Sequence, residues 1–179
     1  MLANTNTIAR LYNAFARLDA AEMAQCYAPE AQFDDPAFSL QGREAIGGMW
    51  GMLCGATQAS IQKHGPEVWR LDFSGVQADS RSGRAHWEAH YRFSSTGRKV
   101  HNIIDAEFVF NAQHLITRHQ DTFSFWRWAR QALGVPGLLL GWSPMLRSQV
   151  RATAASNLRK FMAKRAGSAA PANGTGAKP

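Results

Sequence analysis

Three groups of residues in this chain have the types and spacings that acid–base chemistry uses. Asp34 and Asp35 stand side by side before Pro36, between an apolar Phe33 and the segment Gly42-Arg43-Glu44. Proline fixes a turn there, and a carboxylate held at that turn serves either as a general base or as a cap for nearby backbone amides. Adjacent residues of an extended segment point to opposite sides, so only one of the two acids can enter an interior. His119 and Asp121 lie two positions apart in an alternating segment that also carries Leu115, Thr117 and Phe123 on the same face. Two positions along a strand span about 7 Å, close enough for one pocket in which the acid orients the imidazole. The other reading of that pair is a polar rim at a pocket mouth or a dimer surface. His101, Ile103, Asp105 and Glu107 share one face of the otherwise apolar run Ile103 to Phe110. A carboxyl group there is either a paired structural acid or a site residue with a raised pKa, and two acids and a histidine on one face favour the site.

His86 and His90 have the spacing of a helical metal pair, but their segment alternates Ala85, Trp87, Ala89, Tyr91 and Phe93 against polar residues. That pattern is a strand, and four residues along a strand cover roughly 13 Å, too far for one ion to bridge. No metal site is therefore expected, and Trp87 and Tyr91 become pocket walls. The sequence has no Walker loop, no Gly-x-Gly-x-x-Gly and no Gly-x-Ser-x-Gly, so no cofactor is expected either.

The elements that must position these groups follow from periodicity. Ile8, Leu11, Tyr12, Phe15 and Leu18 recur at helical spacing and predict a first helix over about residues 4 to 18. Asp19, with Glu22 three residues on, starts a second helix running to about Tyr27. Gly42 to Thr57 reads as a third, in which Gly47, Gly48 and Gly51 lower helix propensity and allow close packing. From Ser60 the rhythm becomes that of strands, at 60–73, 76–80, 84–95, 98–111 and 114–125, with turns at Ser82-Gly83, Thr96-Gly97 and Asn111 to Gln113. Three helices followed by an antiparallel meander make an α+β domain over residues 1–125, a curved sheet wrapped around the helices as a cone.

Residues 126–165 read as a helical extension. They comprise a short helix from Trp126, an apolar patch from Gly137 to Trp142, and a helix capped by Ser143 and begun by Pro144. Residues 166–179, small, polar and Gly/Pro-rich, are expected to be a disordered tail. Charge follows the same division. Residues 1–125 hold 11 basic and 13 acidic residues, whereas 126–179 hold 9 basic residues and no acid. A nearly neutral body without zinc-finger or RNP-like motifs excludes a nucleic-acid domain. The basic helix and the apolar patch, over 137–165, are suited to weak contact with an anionic membrane surface. No run reaches the length of about 20 apolar residues needed to span a bilayer. The N-terminus lacks the basic start and apolar stretch of a secretory signal, and the two cysteines read as reduced, buried thiols, so a cytoplasmic protein is expected.

The pattern Tyr27-Ala-Pro, Phe33-Asp-Asp-Pro, Gly42-Arg-Glu-Ala-Ile46, followed by a meander, resembles the SnoaL-like branch of the nuclear-transport-factor-2-like superfamily. The resemblance covers about residues 5 to 125 and implies a cone-shaped α+β barrel, often a homodimer, binding a small lipophilic molecule. That fold hosts isomerases, cyclases, a dehydratase and epoxide hydrolases as well as pure binding modules. Compared with the ketosteroid isomerases of the superfamily, Asp35 matches the catalytic base before the proline. Asp105 within Ile104-Asp105-Ala106 matches a protonated acid, and Tyr12, one residue out of step, matches the oxyanion-hole tyrosine. Trp50 stands where those enzymes carry another tyrosine. The resemblance thus implies proton transfer by Asp35, with Tyr12 and neutral Asp105 stabilising an oxyanion. His101 and His119 would relay protons. Trp50, Trp87, Tyr91, Ile103, Asp121 and Phe123 would line the substrate. A catalytically silent ligand-binding or assembly module of the same fold is the alternative.

Overall fold

The computed structural model describes residues 2–169. Helix α1 (Leu2–Ala16) buries Ile8, Leu11, Tyr12 and Phe15, the stripe read from the sequence. Helix α2 (Ala20–Gln25) begins where Asp19 Oδ1 accepts from the Glu22 amide at 2.9 Å. It stops two residues short of Tyr27, which opens strand β1 (Tyr27–Asp34). Strand β2 (Ser39–Gln41), not expected from the sequence, returns along β1 after the Asp35–Phe38 turn. Helix α3 (Arg43–His64) runs a full turn and more beyond Thr57, and the expected strand over residues 60–73 gives way accordingly. The physical stop is Gly65, at φ +90°, with Pro66 beside it. Glycine tolerates that backbone geometry and proline cannot continue a helix. A 3-10 turn, Pro66–Val68, then leads into strand β3 (Arg70–Ala78).

Strands β4 (Ser82–Arg92), β5 (Lys99–Phe110) and β6 (Ile116–Thr122) complete a six-stranded sheet in the order β2-β1-β6-β5-β4-β3. The meander β3 to β6 is antiparallel as expected, but β1 pairs with β6 in parallel, so the sheet is mixed. It is an open sheet with β2 and β3 at its edges, rather than a closed barrel. The β3–β4 turn lies at Asp79–Arg81, where Asp79 Oδ1 accepts from the amides of Arg81 and Ser82 at 2.7 Å each, and not at Ser82-Gly83. Alternation turns Ala85, Trp87 and Ala89 of β4, and Ile104, Ala106, Phe108 and Phe110 of β5, toward the helices. Tyr12 from α1 meets Phe73, Trp87 and Phe108 there, and Phe15 meets Trp50, Trp69 and Trp87. Register breaks within β1, β3 and the β5–β6 pair bend the strands, the usual effect of an extra residue on one side of a ladder.

Helix α4 (Phe125–Leu133) starts at Ser124 and buries Phe125, Trp128, Ala129 and Ala132 near Val100 of β5. Helix α5 (Val135–Leu140) contains the apolar patch as far as Leu140, and Gly141 and Trp142 form the turn after it. Next comes α6 (Pro144–Ala169), with Ser143 Oγ accepting from the Leu146 amide. Helix α6 continues to Ala169, so residues 166–169 are helical and not part of a tail; residues 170–179 lie outside the described residues. It lies along α3. Leu158 joins the main core, and a Cβ built on Gly48 would come within 3.0 Å of Met162 Cγ. Glycine at 48 is thus the close-packing residue that the sequence suggested. Among the described residues no helix is long and apolar enough to cross a membrane.

Candidate active site

The helix-facing side of the sheet holds a polar chain sealed among aromatic rings. Strand β6 turns His119 and Asp121 inward, and they are 0% and 3% exposed. Trp50 Nε1 of α3 donates to Tyr27 Oη at 3.2 Å, and Tyr27 Oη lies 2.7 Å from His119 Nδ1. His119 Nε2 lies 2.9 Å from Asp121 Oδ1, which also accepts from Trp87 Nε1 at 3.3 Å. An indole N–H can only donate, so both ends of the chain have a fixed direction. An ionised Asp121 can only accept, so it takes its second bond from His119 Nε2, while Tyr27 Oη and His119 Nδ1 share one proton between them. Phe33, Trp50 and Phe108 enclose the imidazole, with ring centroids 5.0, 6.5 and 4.4 Å away. Both bonds to Asp121 fall on Oδ1, which leaves Oδ2 without a protein partner. The Tyr12 hydroxyl is fully buried and, like Ser60 Oγ and Arg92 Nε, has no partner. Burial first, and then the charge of Asp121, hold Tyr12 well above the ordinary phenol range.

Asp35, half-buried, stands in the turn between β1 and β2, where its carboxyl feels the charge of Asp121. Its Oδ1 accepts from the amides of Ala37 at 2.6 Å and Phe38 at 2.5 Å, so one oxygen caps the turn as the sequence allowed. Burial pushes its carboxyl up to about 7; the Phe38 amide opposes the shift and the charge of Asp121 adds to it. Asp34, by contrast, is held by Ser39 Oγ at 2.6 Å on the outside of the turn. The C-terminal segment covers this turn. Arg151 of α6 donates to the carbonyls of Pro36 and Asp35, both at 2.9 Å, and Trp128 Nε1 of α4 donates to Tyr91 Oη at 2.9 Å. Burial pushes the Tyr91 hydroxyl up to about 12, and the charge of Asp35 contributes to that rise.

Of the residues expected at the site, Tyr12, Asp35, Trp50, Trp87, Tyr91, His119, Asp121 and Phe123 are brought to this interior or its rim. Asp105, His101 and Ile103 are not. Their strand turns Ile104, Ala106 and Phe108 inward, which sends the odd-numbered positions to the opposite face. The Asp105 side chain is 79% exposed and pairs with His86 Nδ1 at 2.8 Å. An acid in water cannot serve as the neutral interior donor expected of it. Two contributors were missed. Tyr27 sits at a helix-to-strand boundary that periodicity blurs, and Arg151 is remote in sequence. A concavity of about 650 Å³ lies on the outer sheet face between Gln77, Arg84, Glu107 and Arg118. It is an open, charged groove away from His119, and the buried acid–imidazole chain marks the site better than that volume does.

A profile of the SnoaL-like domain family matches residues 8–119. No curated protein sequence matches the chain. Among solved structures, a polyketide cyclase candidate from Xanthomonas campestris pv. campestris is 19% identical, with 73% of this chain and 96% of that chain covered at a TM-score of 0.51. SalBIII, an epoxide hydrolase/cyclase-like enzyme of pyran ring formation in the polyether salinomycin, is 13% identical, covering 67% and 89% at 0.55. An LEH-like epoxide hydrolase of M. tuberculosis is 12% identical, covering 78% and 94% at 0.55. At these identities the likeness concerns the fold. The profile match runs from the first helix to His119 itself and takes in more than half of the chain, which therefore belongs to the SnoaL-like domain family.

Proposed function

We propose that this protein is a cofactor-independent enzyme that moves protons on a small, largely apolar molecule carrying a carbonyl, hydroxyl or cyclic ether oxygen. The observation that supports this reading best is Asp121: a carboxylate oxygen without a partner, on a nearly fully buried acid whose other oxygen is held by His119 and Trp87. A protein seldom buries an acid so deeply without using it, because desolvation of the charge is costly unless function or pairing offsets it. Asp121 Oδ2 acts as the base and takes a proton from carbon or from a hydroxyl. The Tyr12 hydroxyl donates to the oxygen on which charge develops, the arrangement that lowers such barriers most. Asp35, with its carboxyl near neutrality, supplies or accepts the second proton from the β1–β2 turn. Two acids in unlike surroundings divide the acid and base roles in this way. Trp50, Trp87, Tyr91 and Phe123 hold the apolar body of the substrate, and His119 positions Asp121. Isomerisation, ring closure, dehydration and epoxide opening all draw on this set of groups; the last two of the related structures named above carry epoxide hydrolase descriptions.

The test is a panel of enolisable cyclic ketones and epoxides followed by NMR in deuterated water. The wild-type protein should exchange or convert at least one class. Asp121→Asn should lose about 10²- to 10⁴-fold in rate, the usual cost of a general base. Full activity in that variant would overturn the mechanism, and tight ligand capture without turnover would establish a binding module instead. A second reading, docking on an anionic lipid surface, is favoured by the exposed apolar residues of α5 and its flanks among basic side chains.

A further inference from the structure

The outer face of the sheet carries a cluster that the interior chemistry does not use. Three of the chain's six histidines, His86, His90 and His101, lie there together. Glu88 and His90 are two positions apart on β4 and so share a face, and His101 of β5 pairs directly with His90 across the ladder. The imidazoles of His90 and His101 stack at 4.0 Å, and His101 Nε2 lies 2.5 Å from Glu88 Oε2. One nitrogen or oxygen from each of Glu88, His90 and His101 falls within 4.8 Å of the other two.

We infer that Glu88, His90 and His101 form a binding site for a divalent first-row transition-metal ion, with zinc as the reference ion. Spacing along β4 alone excludes His86 and His90 as a pair, but pairing between strands supplies what spacing cannot: a second imidazole from β5 opposite the first. Zinc takes imidazole nitrogen at about 2.0–2.1 Å and carboxylate oxygen at about 2.0–2.2 Å, so donors on one ion stand roughly 3.3 Å apart. His101 Nε2 and Glu88 Oε2, now 2.5 Å apart, must separate to admit the ion, and the more distant donor must close in. Side-chain rotation achieves that while the paired strands hold the backbone. Imidazole and carboxylate together select zinc, copper, nickel or iron over magnesium and calcium, which prefer oxygen alone. Three protein ligands leave a fourth position open to solvent. The surroundings supply an outer shell as well. His86 reaches the second oxygen of Glu88 at 3.4 Å and is itself held by Asp105 at 2.8 Å, the kind of partner that orients a ligating carboxylate. Arg70, 3.3 Å from His90 Nε2, brings a positive charge that moderates the affinity.

Calorimetric titration of the untagged, chelator-stripped full chain with zinc chloride tests the inference. One ion should bind per chain, and cobalt in its place should give the visible absorption of a four-coordinate site. His101→Ala and Glu88→Gln should each weaken binding at least tenfold with unchanged circular dichroism. His114→Ala, on the β5–β6 loop, should bind like the wild type, and so should Asp121→Asn, which separates this site from the interior one. Failure of the wild-type chain to bind zinc, or equal binding by the two ligand variants, would overturn the assignment in favour of a metal-free hydrogen-bonded network.

Discussion

Tyr12 Oη is the residue-scale feature with the plainest energetic signature. A buried hydroxyl without a partner costs about 1–3 kcal/mol relative to an apolar group of the same shape. Tyr12→Phe should therefore raise stability by about 1 kcal/mol in urea denaturation while lowering turnover, the trade expected where activity rests on a destabilised site. Asp35 makes a prediction of opposite kind. Its carboxyl titrates at about 7 in the folded chain against an ordinary value of 3.8, so the native state retains a proton that the unfolded state has released. The stabilisation from that proton is complete below about pH 3.8 and is lost as pH rises toward 7. Asp35→Asn should match wild-type stability near pH 4 and exceed it at pH 8, by no more than a few kcal/mol at about 1.4 kcal/mol per pKa unit. Denaturation curves at the two pH values check it, and equal curves at both would remove the perturbed acid. His119 and Asp121 were legible in the sequence because alternate residues of a strand share a face, although β6 breaks that alternation just before them. Ile116 is buried in place of Leu115 and Thr117, and the Thr117 hydroxyl donates to the Val109 carbonyl. Asp105 was misplaced although the signal was present: Ile104, Ala106, Phe108 and Phe110 alternate as an apolar set, while 105 and 107 are acids. The two acids and the histidine on that face, and the Ile104-Asp105-Ala106 resemblance to the ketosteroid isomerases, point to the interior, but the apolar period decides the side.

At the scale of elements, the turn that carries Asp35 is fastened from outside the matched family region. Arg151 bonds to two consecutive carbonyls of that turn, and its charge also favours ionised Asp35. Arg151→Ala should raise the Asp35 pKa above about 7 and speed amide exchange at Ala37 and Phe38, both readable by NMR. An unchanged titration would mean that α6 does not influence the site. Helices α1 and α2 and the meander could be read from periodicity and caps. The end of α3 could not be placed by composition, because Ser60 to His64 mixes residues that suit either state. Gly65-Pro66 was the decisive punctuation, and it reads equally as a broken strand or a helix stop. The parallel β1–β6 pairing left no local mark at all, since it depends on which strand edge remains free once the meander is laid down.

The whole molecule is divided by charge and by apolar exposure along the same line. Val135, Leu138, Leu139, Trp142 and Met145 are each at least half exposed, with Trp142 at 75%, and the segment from 126 onward carries no acid. An anionic lipid surface complements both properties, with each basic residue near it contributing about 1 kcal/mol. The protein should sediment with anionic but not neutral vesicles at low salt and be released at high salt, and Trp142→Ala with Leu139→Ala should weaken that binding. Failure to bind either kind of vesicle, with a dimer seen in analytical ultracentrifugation, would assign the patch to a second copy of the chain. The seat of α6 on α3 bears on the order in which the protein is made. Met162 rests on Gly48, and Leu158 completes a core begun by Ile8. A ribosome adding about 5–20 residues per second emits α6 several seconds after α3. Throughout that interval the nascent chain holds out an uncovered apolar helix face, the kind of surface that a holding chaperone binds.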